Sequence, residues 1–237
     1  MPRLLSLAAL MLVAVVLGDD SATQSGQKER LAKLQPLVGA WRGVGQPQRG
    51  STKDSWIEEV DWAWSFDKDG PALVARLPKA KFFSQFRLTA GSESGAFTLA
   101  ATPLAGGETA RYAGKLDDQE QLVLTIDQAG VDQPRDDLPQ RLTFRFVAGG
   151  DRLLILMEKK SPTSDQLVRL AEVGYTRQGS GFGKNVAQRE CVVTGGLGTI
   201  EVMHNGKTYY VCCTGCRDYF NENAEKVLAE HTARKAK

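Results

Sequence analysis

The chain has 237 residues, of which 30 are basic and 28 acidic, and a formal net charge of +2. It therefore lacks the large basic field that holds nucleic acid or an anionic membrane. The length suits one medium domain and one small one. All four cysteines lie after residue 190 and the only histidines are His204 and His231, which restricts where metal or nucleophile chemistry can sit.

Met1, Pro2 and Arg3 give a short positive start, residues 4–17 are apolar apart from Ser6, and Gly18-Asp19-Asp20 ends the run. This is the pattern of a cleavable secretory signal over residues 1–18, and the apolar stretch is too short for a comfortable bilayer span. The mature protein is expected to be secreted or periplasmic, without stable membrane insertion. Loss of Arg3 leaves a charge of +1, still nearly neutral. Residues 19–30 read as a polar tether. Leu31, Leu34, Leu37 and Val38 then recur at helical spacing and predict a short amphipathic helix.

From Gly39 the apolar period changes to two. Strands are predicted at 41–45, 55–66, 72–77, 82–90, 96–101, 110–115, 121–127, 141–147, 152–159 and 167–177, joined by glycine- and aspartate-rich hairpin loops. Ten strands without an intervening helix make an up-and-down meander, which loses its unpaired edges only by closing into a barrel. The opening Gly39-Ala40-Trp41, preceded by a short helix, resembles the Gly-x-Trp start of lipocalin-like barrels. That resemblance covers residues 31–178 and implies that Arg169 or Arg177 on the last strand packs over Trp41.

Strand 55–66 alternates so that Trp56, Glu58, Val60, Trp62, Trp64 and Phe66 share one face, while Glu59, Asp61 and Ser65 share the other. The inner wall is thus aromatic with one carboxylate. Either it stacks a small apolar ligand that Glu58 orients, or it is a filled core in which Glu58 finds a partner; the filled core is the expectation. Catalysis has little support. The barrel segment has no histidine to ligate haem, which excludes a nitrobindin-like pocket with a histidine axial ligand, and none to activate a nucleophile. The chain is read as not an enzyme.

A glycine-rich linker is expected at residues 179–189, followed by a small module at 190–232 and a solvated basic tail at 233–237. In the module, twenty residues separate Cys191 from Cys212 and three more precede Cys216, which is metal-ligand spacing. Residues 199–204 and 207–211 flank Asn205-Gly206, the dipeptide suited to a type I′ hairpin turn, which folds Cys191 back toward Cys212. A helix opening near Cys216 favours thiolate there, and residues 221–223 are expected to break it. Two disulfides compete with a metal, because the count is even and the compartment oxidising. However, Cys212 and Cys213 are adjacent, and Cys213 with Cys216 closes only a short loop, leaving Cys191 to Cys212 as the one long staple. The same Cys213-x-x-Cys216 pair admits a dithiol redox reading, but without the strand-to-helix setting of a thioredoxin-like fold.

The run from Gly206 through Cys212, Cys213 and Cys216 to Phe220, with Asn223-Ala224-Glu225, resembles YHS and TRASH domains. These are small treble-clef-like modules that bind or sense copper, zinc or heavy metals. The resemblance covers residues 188–231 and implies Cys191, Cys212 and Cys216 as ligands. Three thiolates favour Cu(I), Zn(II) or a heavier soft ion. Zinc asks for a fourth ligand, for which Cys213 is preferred to His204; Cu(I) needs none. The expected molecule is a mainly β, two-domain, exported protein that binds a soft transition metal. The alternative is a barrel for a small apolar ligand with a stapled or protein-contact C-terminal module.

Overall fold

The structure, a computed structural model, describes residues 20–127, 138–178 and 189–235. The expected signal segment at 1–18, nearly all of the expected linker and the last two residues of the expected basic tail lie outside the described residues.

Ten strands run in chain order: β1 (Gly39–Gln46), β2 (Trp56–Asp67), β3 (Gly70–Arg76), β4 (Phe83–Ala90), β5 (Ala96–Pro103), β6 (Ala110–Leu116), β7 (Leu122–Ile126), β8 (Arg141–Val147), β9 (Arg152–Lys160) and β10 (Leu167–Arg177). Each pairs antiparallel with the next, and β10 pairs back onto β1, so the sheet closes into an up-and-down barrel with no free lateral edge along most of its length. The expected ten-strand meander is the observed one. A two-stranded sheet, β11 (Ile200–His204) and β12 (Lys207–Val211), and a long helix, α2 (Thr214–Lys235), complete the chain. Among the described residues, no helix is long and apolar enough to cross a membrane.

Alternation drives the barrel. Along β5 the burial repeats strictly, with Phe97, Leu99, Ala101 and Pro103 inside. The interior is packed with rings: Trp62 stacks on Phe86 at 5.8 Å between centroids, and Phe83 meets Phe86 at 5.2 Å and Tyr112 at 6.2 Å. These contacts favour the filled core over a ligand-holding lumen. Closure at the β1–β10 seam uses Arg177, whose guanidinium lies 4.1 Å from the Trp41 ring and donates to the carbonyls of Val38 at 2.7 Å and Pro36 at 2.6 Å. Of the two expected candidates it is therefore Arg177 that covers Trp41. Arg169 instead pairs with Glu172 at 3.6 Å.

Glu58 is buried among neutral donors rather than beside an arginine. The Tyr175 hydroxyl donates to one oxygen and the Trp56 indole N–H to the other, at 2.6 Å. Gly43 makes this possible. It stands between Glu58 and Tyr175 in the sheet register, and a Cβ there would lie 2.5 Å from the Tyr175 ring. Burial, then the Glu58 charge, pushes the Tyr175 hydroxyl well above its ordinary range, which keeps it a donor.

Two expectations fail near the N-terminus and one at the C-terminus. The segment read as a tether is a helix, α1 (Asp20–Ala32), and the amphipathic helix expected from Leu31 is its last turn followed by a 3₁₀ turn at Gln35–Leu37. The helix has no apolar stripe before Leu31; long polar side chains hold it instead. Arg30 donates to the carbonyls of Gly91, Glu93 and Ala96 on the β4–β5 turn, and Lys28 lies over the Phe66 ring. At the other end, α2 continues through Lys235, and Arg234 and Lys235 reach Glu190 at 3.9 and 3.7 Å. The described part of the expected tail is thus the last turn of α2, solvent-exposed yet ion-paired beside Cys191. Its expected break appears as non-helical backbone at Asn223.

Candidate metal centre

The hairpin forms as its turn dipeptide predicts. Asn205 and Gly206 both have positive φ, 49° and 73°, the requirement of a type I′ turn, and the register runs from His204 opposite Lys207 to Ile200 opposite Val211. Before it, the chain makes a tight loop around Cys191. The Cys191 N–H donates to the Gly196 carbonyl at 2.6 Å and the Gly195 N–H returns to the Cys191 carbonyl at 2.8 Å, while Val192 N–H bonds Tyr210 in β12. This sews Cys191 alongside the strand that ends in Cys212 and Cys213.

The sulfurs of Cys191, Cys212 and Cys216 all lie within 4.8 Å of one another. Cys212 and Cys216 are 3.5 Å apart, and Cys213 lies 3.9 Å from Cys212. A tetrahedral zinc with Zn–S of about 2.3 Å needs sulfurs about 3.8 Å apart, so the spacing of Cys191, Cys212 and Cys216 is compatible with a thiolate-held ion, while Cys213 is close to Cys212 but outside the mutually close three. All four cysteines are buried and unbridged. The site is closed, as structural or tightly held metal sites are.

Helix α2 begins at Thr214, two residues earlier than the expected opening at Cys216. Cys213 therefore stands at the N-cap position, just before the first helical residue, and its carbonyl accepts the Arg217 N–H at 3.0 Å. Cys216 sits in the first turn, near the positive end of the helix dipole. Shared hydrogen bonds and burial pull the titrations of the four sulfurs apart. Hydrogen bonds from neighbouring thiols hold Cys191 and Cys213 far below the ordinary thiol range. Hydrogen bonding to Cys191 pushes Cys212 up, and burial pushes Cys216 up. A metal binding this cluster displaces the protons that its sulfurs carry.

His204 is not part of the set. Its ring packs edge-on against Phe220 at 6.1 Å, and its Nε2 lies 3.2 Å from the Asn205 side chain. His231 Nε2 lies 3.6 Å from a Glu190 carboxylate oxygen, and its ring nitrogens are not among the donor atoms that converge with Cys191, Cys212 and Cys216.

The barrel takes part in this site, which residue spacing did not suggest. The Trp64 backbone N–H donates to the Cys213 sulfur at 3.4 Å. β1 pairs with β2 only as far as Trp62, while β3 continues to Asp67, so β2 has a short free edge beyond Trp62. Cys213-Thr214-Gly215 fills that edge. Gly215 approaches so closely that a Cβ there would lie 1.7 Å from the Trp64 carbonyl oxygen. The Trp64 indole donates to Gln35 at 2.8 Å, and Gln35 in turn lies against Gly196 of the Cys191 loop. Phe66 and Tyr219 meet at 4.3 Å beside it. Gly215 was the one trace of this contact in the sequence.

No protein-family model matches the chain, and no curated protein matches its sequence. Among solved structures, the chain is similar to the crystal structure of Rv2717c from M. tuberculosis, with 17% sequence identity and a TM-score of 0.41, over 63% of this chain and 97% of that one.

Proposed function

We propose that the protein is an exported, non-enzymatic binder of one soft transition metal ion per chain, zinc, copper or a heavier congener, serving metal sensing, sequestration or delivery. The observation that carries this reading is the convergence of Cys191, Cys212 and Cys216 within 4.8 Å, with Cys213 3.9 Å from Cys212. A purely sulfur donor set selects soft ions over magnesium or calcium. The likeness of residues 188–231 to YHS and TRASH domains points to the same chemistry and to a treble-clef-like module, and the hairpin and following helix are in keeping with it. The barrel serves as scaffold. Export rests on the character of residues 1–18, and mass analysis of the mature N-terminus from an exporting host tests it: a start at Asp19 is expected, and an intact Met1 contradicts it.

The metal reading is tested by metal analysis of protein purified under thiol-protecting conditions. About one equivalent of zinc or copper is expected in the wild type and almost none in a Cys212→Ser, Cys216→Ser double variant. A metal-free wild type, or equal loading of the double variant, contradicts it.

A further inference from the structure

The geometry points to the barrel as a working part of the metal centre: the Trp64 backbone of β2 positions Cys213 as the fourth sulfur, so that metal loading and docking of the C-terminal module are one linked event. This rests on the metal reading above and goes beyond it by assigning positioning residues outside the cysteine module. Three contacts converge on one residue of β2. The Trp64 N–H reaches the Cys213 sulfur at 3.4 Å, and its carbonyl is covered by Gly215. Its indole N–H holds Gln35, which backs the glycine loop that presents Cys191. Trp64 is 1% exposed and belongs to a closed sheet, so these groups are fixed by the barrel rather than by the small module they touch.

An N–H donated to sulfur stabilises thiolate over thiol and orients it, and such outer partners are typically worth about 10–100-fold in metal affinity. By reciprocity, whatever affinity docking adds for the metal, the metal adds for docking. Cys213 lies 3.9 Å from Cys212 but outside the mutually close set of Cys191, Cys212 and Cys216, and the Trp64 N–H holds its sulfur at the border of that set. Drawn in on metal binding, Cys213 makes the site a four-thiolate one, which suits Zn(II) and Cd(II) better than the three-sulfur coordination with which Cu(I) is satisfied.

The test uses the full chain and Cd(II) as the probe, under anaerobic reducing conditions. Gly215→Ala pushes the start of α2 off the Trp64 carbonyl while installing the best helix former, so a loss cannot come from helix propensity. Cys213→Ser keeps a good N-cap and removes only the soft donor. Each single variant is expected to bind Cd(II) about 10–100-fold more weakly and to show the thiolate-to-metal charge-transfer intensity of three sulfurs rather than four. The double variant is expected to bind no more weakly than Cys213→Ser alone, because Gly215 acts through Cys213. Independently of any variant, wild type loaded with the spin-½ cadmium isotope is expected to show scalar coupling between the metal and the Trp64 amide proton. Retention of wild-type intensity and affinity by Cys213→Ser, full additivity in the double variant, or an uncoupled Trp64 amide overturns the proposal while leaving the metal reading intact. A wild type that binds no Cd(II) removes both.

Discussion

The barrel and the C-terminal module are stabilised by opposite means. The barrel encloses Trp41, Trp62, Phe83, Phe86, Tyr112 and Phe144 at 1% exposure or less, and its most deeply buried carboxylate, Glu58, is satisfied by two neutral donors. The module has one short hairpin, a kinked helix and four buried cysteines at its centre. A segment that small rarely builds a sufficient apolar core by itself, and on the proposed reading a bound metal supplements the burial of Val193, Val211, Phe220 and Val227. Large-area burial tolerates the loss of any one contact in proportion to its size. A metal centre fails by ligand, and abruptly.

That contrast is best broken at a ligand. Cys216→Ser is expected to lower metal affinity by well over the roughly 100-fold that loss of an outer partner costs, and to make the module protease-sensitive while tryptophan emission still reports a folded barrel. Equal protease resistance of the apo and loaded forms would show that the module stands on its own apolar contacts. Next in size is the barrel core. Phe144→Ala, which removes a ring packed edge-on to Trp62 at 6.4 Å, is expected to cost about 3–5 kcal/mol of stability in chemical unfolding while leaving metal affinity unchanged. Tyr175→Phe removes one of the two donors to Glu58 and is expected to cost about 1–3 kcal/mol, again without effect on the metal. A change in metal affinity from either variant would mean that the two regions share more than the Trp64 contact.

The smallest effect is electrostatic. Asp67 is held below the ordinary carboxylate range mainly by hydrogen bonds from Arg87, at 2.9 and 3.0 Å. Its folded pKa being depressed, the pair contributes stability at neutral pH that is lost as pH falls through that lowered value. Both side chains are partly exposed, so Asp67→Asn is expected to cost less than about 1 kcal/mol at pH 7. The difference from wild type should vanish in acid, and persistence there would assign the effect to something other than charge.

The legible part of this molecule was the part written in side chains. Period-two alternation and glycine-rich loops marked all ten strands, two of them, β8 and β10, with the observed bounds. Asn205-Gly206 marked the hairpin turn, and the cysteine spacing marked the sulfurs that converge. The missed features are those in which backbone or long polar groups make the contact. α1 carries no apolar stripe before Leu31 and is held by Arg30 and Lys28 reaching carbonyls and a ring, which leaves no periodicity to read. The Trp64 amide that meets Cys213 is common to every residue type except proline, so no residue pattern announces it. The glycine-rich linker expected at residues 179–189 said nothing of how the two modules meet. They dock on β2, at a strand edge that only the register of β1 exposes.

The most direct test of the account is a free-thiol count on the native, unreduced chain before and after chelation. The account predicts that the four buried cysteines are unreactive in the loaded protein and that all four become reactive once a chelator removes the metal, with no reductant added. A count that chelation leaves unchanged, or thiols that appear only after reduction, would contradict it and assign the cluster to disulfides or inert buried thiols.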